Sequence, residues 1–98
     1  MKILLTLIVT PVLEQSLTDW LLVHPQIEGF TSHTAFGHGG HHALTIAEQV
    51  SGRRKQIVFW LEMEQALAEE VLVQLKLDFA GSELHYWQIP LNAHGVLN

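Results

Sequence analysis

Cysteine is absent from this chain, and charge is scarce. Without thiols there is no disulfide framework, no thiolate metal site and no sulfur nucleophile. Charged residues make up 15% of the 98 positions, ten acidic against five basic, for a formal net charge of −5. A nucleic-acid binder needs a basic stripe to displace counterions from phosphates, so that class is excluded. Apolar residues are abundant instead: 48% of the chain is hydrophobic and the mean hydropathy is +0.21. Burial on that scale offsets the entropy of ordering, which excludes disorder. The length fits one domain, 1–98, around one core. The apolar excess is high for a small monomer.

Long hydrophobic runs are missing too. Ile3 to Val9 is apolar at every position except Thr6, but Thr10-Pro11 ends it. Crossing a bilayer takes about 20 such residues, and no small-x-small cleavage pattern follows. The run therefore reads as a strand buried on both faces, with no membrane insertion and a cytoplasmic location expected.

Thr10-Pro11 is a helix start, with Thr10 as the expected cap and Pro11 at the first helical position. Leu13, Leu17, Trp20 and Leu21 then share one helical face, and His24-Pro25 closes the helix. Gly29 to Phe36 reads as a second strand, Gln56 to Met63 as a third with two apolar faces, and Leu84 to Ile89 as a fourth. Glu64 to Phe79 is the second helix, presenting Leu67, Val71, Leu72, Leu75 and Phe79, with Gly81 as its expected C-terminal cap. The order strand-helix-strand, repeated, predicts an α+β ferredoxin-like βαββαβ fold: a four-stranded antiparallel sheet with both helices on one face. In that topology the first and third strands are central, and they are the two most apolar runs.

Two features do not fit a bare monomeric fold. The sheet face away from the helices carries Val58, Trp60 and part of Leu84-His85-Tyr86-Trp87, an apolar patch larger than monomers usually leave in water. Oligomerisation through that face is the expectation. The second feature is the connection between the two halves. A hairpin needs about two to five residues, whereas Gly37 to Gly52 is sixteen. Loops of that length are commonly functional.

Unusual residues collect there. His38, His41 and His42 stand among Gly37, Gly39 and Gly40, and with His33 they are the candidate metal ligands. Neutral imidazoles suit zinc, copper(II) or nickel, with water or a carboxylate such as Glu48 completing the set. Ser51-Gly52-Arg53-Arg54-Lys55 closes the loop with three of the five basic residues. Gly52, Arg53, Arg54 and Lys55 are the candidate anion or nucleotide contacts, since arginine binds phosphate and carboxylate in bidentate fashion. The competing role for these cations is protection of a strand end from edge pairing. His85 reads as a packing residue and His24 as a complement to the helix dipole; His94 lies in a polar tail. No nucleophile elbow, Walker loop or dinucleotide-binding glycine fingerprint is present, so no enzyme is expected.

The residues Leu4-Leu5-Thr6-Leu7-Ile8-Val9-Thr10-Pro11, Gly29-Phe30-Thr31-Ser32, Gly37-His38-Gly39, Ala47-Glu48-Gln49-Val50-Ser51-Gly52-Arg53-Arg54 and Leu84-His85-Tyr86-Trp87 resemble one family. It is a family of small bacterial PII-like proteins of unknown role, often encoded beside heavy-metal efflux systems. The resemblance covers nearly the whole chain. It implies a homotrimer whose long loop between the second and third strands, the T-loop, meets partners, and Gly37 to Gly52 falls in that place. Nitrogen-regulatory PII proteins bind nucleotides with a glycine-rich loop before the last strand, where this chain has only Ala80-Gly81-Ser82; the nucleotide site is not carried over. The similarity in fold to CutA divalent-cation-tolerance proteins points toward metals. The expected function is a PII-like regulatory protein that senses a small ligand through its loop, with a metal link. The alternatives are a nucleotide- or anion-binding signalling trimer, a CutA-like metal-tolerance protein, and a trimer whose loop docks a protein such as a membrane transporter.

Overall fold

A computed structural model of the protein describes residues 1–39 and 53–98. The elements are β1 (Lys2–Val9), a 3-10 turn (Pro11–Leu13) leading into α1 (Glu14–Val23), β2 (Thr31–Gly37), β3 (Arg54–Glu64), α2 (Gln65–Asp78) and β4 (His85–Pro90). All four strands are antiparallel in the order β2-β3-β1-β4. The ferredoxin-like arrangement expected from the pattern is the observed one, with β1 and β3 at the centre.

Alternation along the central strands divides the side chains into two layers. Ile3, Leu5, Leu7 and Val9 of β1 and Ile57, Phe59, Leu61 and Met63 of β3 enter the core with Leu17 and Leu21 of α1 and Ala68, Val71, Leu72 and Leu75 of α2. Phe59 is fully buried there, with Phe30 tilted against it at 5.9 Å between centroids. Truncating such a ring to alanine costs about 3–5 kcal/mol. Leu13, Trp20, Leu67 and Phe79, expected on the inner helical faces, reach the core edge and are only partly buried. Ala68 escaped the pattern because its side chain is small.

The helix ends differ from expectation. Thr10 is extended at the N-terminus, but its side chain makes no cap; its carbonyl accepts the Leu13 N–H at 3.0 Å, and the helix opens as a 3-10 turn. α2 has no Ser, Thr, Asp or Asn before it, and the main-chain carbonyl of Met1 accepts the Gln65 N–H at 2.9 Å instead. That long-range bond does what a local cap usually does. Gly81 lies beyond the helix end, in the turn closed by Ser82 N–H on the Phe79 carbonyl, where its φ of +77° suits glycine.

Across the two helices, Trp20 Nε1 donates to Asp78 Oδ2 at 2.7 Å, and the His24 ring bridges Gln74 Oε1 through Nε2 while its Nδ1 accepts the Gln26 N–H. His24 is thus a link between helices, a more specific role than dipole complement. Among the described residues no helix is long and apolar enough to cross a membrane.

Candidate functional site

The outer face of the sheet is built by register. Trp60 of β3 stands opposite Thr6 of β1 and Thr31 of β2, and Thr6 stands opposite Trp87 of β4. Directly opposite residues share a face, so Thr31, Trp60, Thr6 and Trp87 form one row across all four strands. On one side of it lies the row His33, Val58, Ile8 and His85, and on the other lie Glu62, Leu4 and Ile89. Leu4, Ile8 and Trp60 are half-buried, while Trp87 and Ile89 are exposed at 42% and 40%. The apolar face expected from the sequence is present, and no element among the described residues covers it.

Two polar groups sit within it. Thr6 is fully buried, and its Oγ1 has no hydrogen-bond partner among the described residues. His33 has both ring nitrogens engaged: Trp60 Nε1 donates to Nε2 at 2.7 Å, and Nδ1 bonds the Thr34 carbonyl at 3.1 Å. The two rings lie nearly parallel, 11° apart, with centroids separated by 6.1 Å. This pattern assigns the proton to Nδ1, because Nε2 must accept.

The site follows at the end of the sheet where β2 leaves and β3 returns. Gly37 pairs with Arg54, so Arg54 shares the outer face with Trp60 and His33. Gln56, two residues on, lays its amide against Gly37. A Cβ at position 37 would stand 2.8 Å from Gln56 Oε1, so glycine gives the amide its place. Arg54 Nη1 is shut away from solvent and has no hydrogen-bond partner among the described residues. A buried guanidinium N–H without an acceptor costs more than most unmet polar groups, because the group is charged. Arg54 and Gln56 therefore present donors to one corner of the sheet.

The basic triplet does not act as one patch. Arg53 and Lys55 fall on the opposite side of β3 from Arg54, by alternation. The Arg53 guanidinium lies 4.1 Å from the centroid of Phe36, and Lys55 is exposed opposite Phe36. Strand alternation alone could have revealed this division once the start of β3 was set at Arg54 and not Gln56. Gly52 lies outside the described residues, as do His41, His42 and Glu48.

The histidines are also separated. His33 lies within β2 and His38 one residue past its end. At about 3.3 Å per strand residue, His33 is roughly 13 Å from Gly37 along the strand, so His33 and His38 do not converge. Among the described residues no three His, Asp or Glu side chains come together to hold a metal ion. Sequence reasoning missed the Trp60–His33 bond, since nothing local links positions so far apart. The composition signal it could have used was a tryptophan and a histidine on facing strands of an otherwise apolar layer.

A family model described as protein of unknown function DUF3240 matches residues 1–98. Among solved structures, a DUF3240 family protein from Shewanella baltica OS155 superposes with a TM-score of 0.80 at 22% identity, over 99% of this chain and 97% of that one. CPII, a nitrogen regulatory PII-like protein from Thiomonas intermedia K12 whose structure holds ADP, AMP and bicarbonate, superposes with a TM-score of 0.61 at 18% identity, over 94% and 96%. No curated protein matches the chain. At these identities the likeness establishes the fold, which is PII-like.

Proposed function

The chain belongs to the DUF3240 family of proteins of unknown function, and we propose that it is a small-ligand-sensing regulatory protein, not an enzyme, in which an anion at the root of the β2–β3 connection sets the state of that connection. One observation carries this reading: Arg54 Nη1 is buried at the root of residues 38–53 with no acceptor among the described residues. An anion seated against Arg54 and the Gln56 amide supplies that acceptor and gains a charge-assisted bond, stronger than a neutral one. Support by analogy comes from the Thiomonas protein, whose three ligands ADP, AMP and bicarbonate are all anions. Because β2 ends and β3 begins at this corner, a ligand there favours one arrangement of the connection over another. Such a shift requires only that affinity differ between the two arrangements.

The outer sheet face supports an oligomer, and the trimer implied by the PII-like resemblance is the proposed state. Covering Trp87, Ile89, Leu4 and Trp60 with a second copy removes the exposed patch, and a specific interface buries about 800 Å² per partner. Arg54 would then lie at the rim of the subunit contact. A protein partner, such as a transporter, would read the connection.

A metal-linked reading stands second. It rests on His38, exposed beside the end of β2, with His41 and His42 close in sequence. Calorimetry with zinc, copper(II) and nickel tests it: binding lost when all three are changed to alanine supports it, and binding untouched by those changes contradicts it.

The anion reading is tested by a thermal-shift screen of ATP, ADP, AMP and bicarbonate. Stabilisation that depends on Arg54 is expected. No response at millimolar ligand in the wild-type protein contradicts it.

A further inference from the structure

A cavity lies on the helix side of the sheet, where the end of α2, the turn 79–84 and the start of β4 meet. It measures about 290 Å³, and Leu72, Leu75, Phe79, Leu84 and the Tyr86 ring form its apolar walls. It shares no lining residue with the corner at Arg54. That volume is at the lower end of the range for small-molecule sites, which are mostly apolar with a few placed polar groups.

Three of the four polar side chains that line it can donate hydrogen bonds. Lys76 and Tyr86 line the cavity, both exposed, and neither makes a hydrogen bond or ion pair among the described residues. Ser82 Oγ accepts the Leu84 N–H at 3.3 Å, which leaves its own O–H free to donate elsewhere. Three donors, one of them cationic, surround an apolar hollow. The acidic residue on the rim, Glu83, is engaged in an interaction of its own.

The wall that carries Ser82 is conformationally costly. Gly81 has φ +77° and Glu83 has φ +58°. Glycine adopts the left-handed region freely, but for glutamate that conformation is uncommon and unfavourable. Strained backbone of this kind collects at binding sites, where the surrounding structure holds it in place. Here it turns the chain so that Ser82 and Leu84 both line the cavity.

We propose that this cavity binds a small carboxylate with an apolar body, its chain or ring against Leu72, Leu75, Phe79 and Leu84 and its carboxylate toward Lys76, Ser82 and Tyr86. Octanoate is the probe, and octanamide its uncharged counterpart. Titration into the full-length protein, followed by amide NMR shifts, is expected to give saturable changes confined to residues 72–86. Affinity is expected to fall by about tenfold for octanamide and for the exposed-site variant Lys76→Gln, the scale of one charge-assisted hydrogen bond. Tyr86→Phe, which keeps the ring, is expected to weaken octanoate more than octanamide. Absence of saturable octanoate binding overturns the proposal. So does equal binding of acid and amide, unchanged affinity in Lys76→Gln, or shifts centred on Trp60 and Trp87, which would mean adsorption on the outer face. If Lys76 serves only to complement the helix C-terminus, Lys76→Gln lowers stability and leaves octanoate affinity intact, which also overturns it.

Discussion

Trp60 Nε1 donates to His33 Nε2 at 2.7 Å, with the two rings nearly parallel. The bond ties edge strand β2 to central strand β3 on the open face of the sheet. It also occupies the nitrogen through which His33 would otherwise take a metal. A double-mutant cycle with Trp60→Phe and His33→Ala, read by urea unfolding, is expected to give a coupling of about 1 kcal/mol. Additive single effects would mean the pair contributes nothing of its own.

Thr6 makes the opposite kind of contribution. Its hydroxyl is buried between the Trp60 and Trp87 positions and has no partner among the described residues. Valine has nearly the same shape without the unmet polar group, so Thr6→Val is expected to stabilise the fold by about 1 kcal/mol. For a domain of this size that corresponds to a rise in Tm of about 4–8 °C. A fall in Tm would show that the hydroxyl has an acceptor in the assembled protein.

The exposed Trp87 tests the use of the outer face. Placing a charge there by Trp87→Glu is expected to leave the monomer folded, because the side chain is 42% exposed, and to shift the protein to single subunits in size-exclusion chromatography with light scattering. An unchanged subunit count would exclude this face as the interface.

Glu64 sets a small acid limb. The N-terminal amine, hydrogen-bonded to Oε2 at 3.1 Å, holds its carboxyl below the usual glutamate range, chiefly through that bond and the charge of the same amine. A lowered folded-state value means the contribution is present above the unfolded carboxylate range and is lost as pH falls through the folded value. The pair is exposed, so the contribution is slight. Glu64→Gln is expected to make stability fall less between neutral and acid pH than in the wild type. An identical pH slope in the variant would mean the pair does not act in solution.

Much of the fold was legible in the sequence, because it rests on periodicity. The alternation around Ile57 to Met63 and the fourfold spacing of Leu17 and Leu21 are local signals that burial obeys. Helix ends were less legible: the first N–H of α2 is met by the Met1 carbonyl, sixty-four residues away in sequence, and no local rule predicts that. The candidate site was legible only in part. The excess length of the β2–β3 connection and its basic end drew attention to the corner where Arg54 and Gln56 lie. Alternation then separates Arg54 from Arg53 and Lys55, and strand length separates His33 from His38. Those divisions depend on where a strand begins, which is the least certain feature of a sequence pattern.

The central claim is that an anion at Arg54 is the signal this protein senses. Its most direct test is calorimetric titration of ADP and of bicarbonate into the wild-type protein and into Arg54→Gln, a variant that keeps a polar side chain and removes the charge. The expected result is saturable binding to the wild type, weakened at least tenfold in the variant, in keeping with loss of a charge-assisted contact. Equal binding to both proteins, or binding to neither, would contradict it.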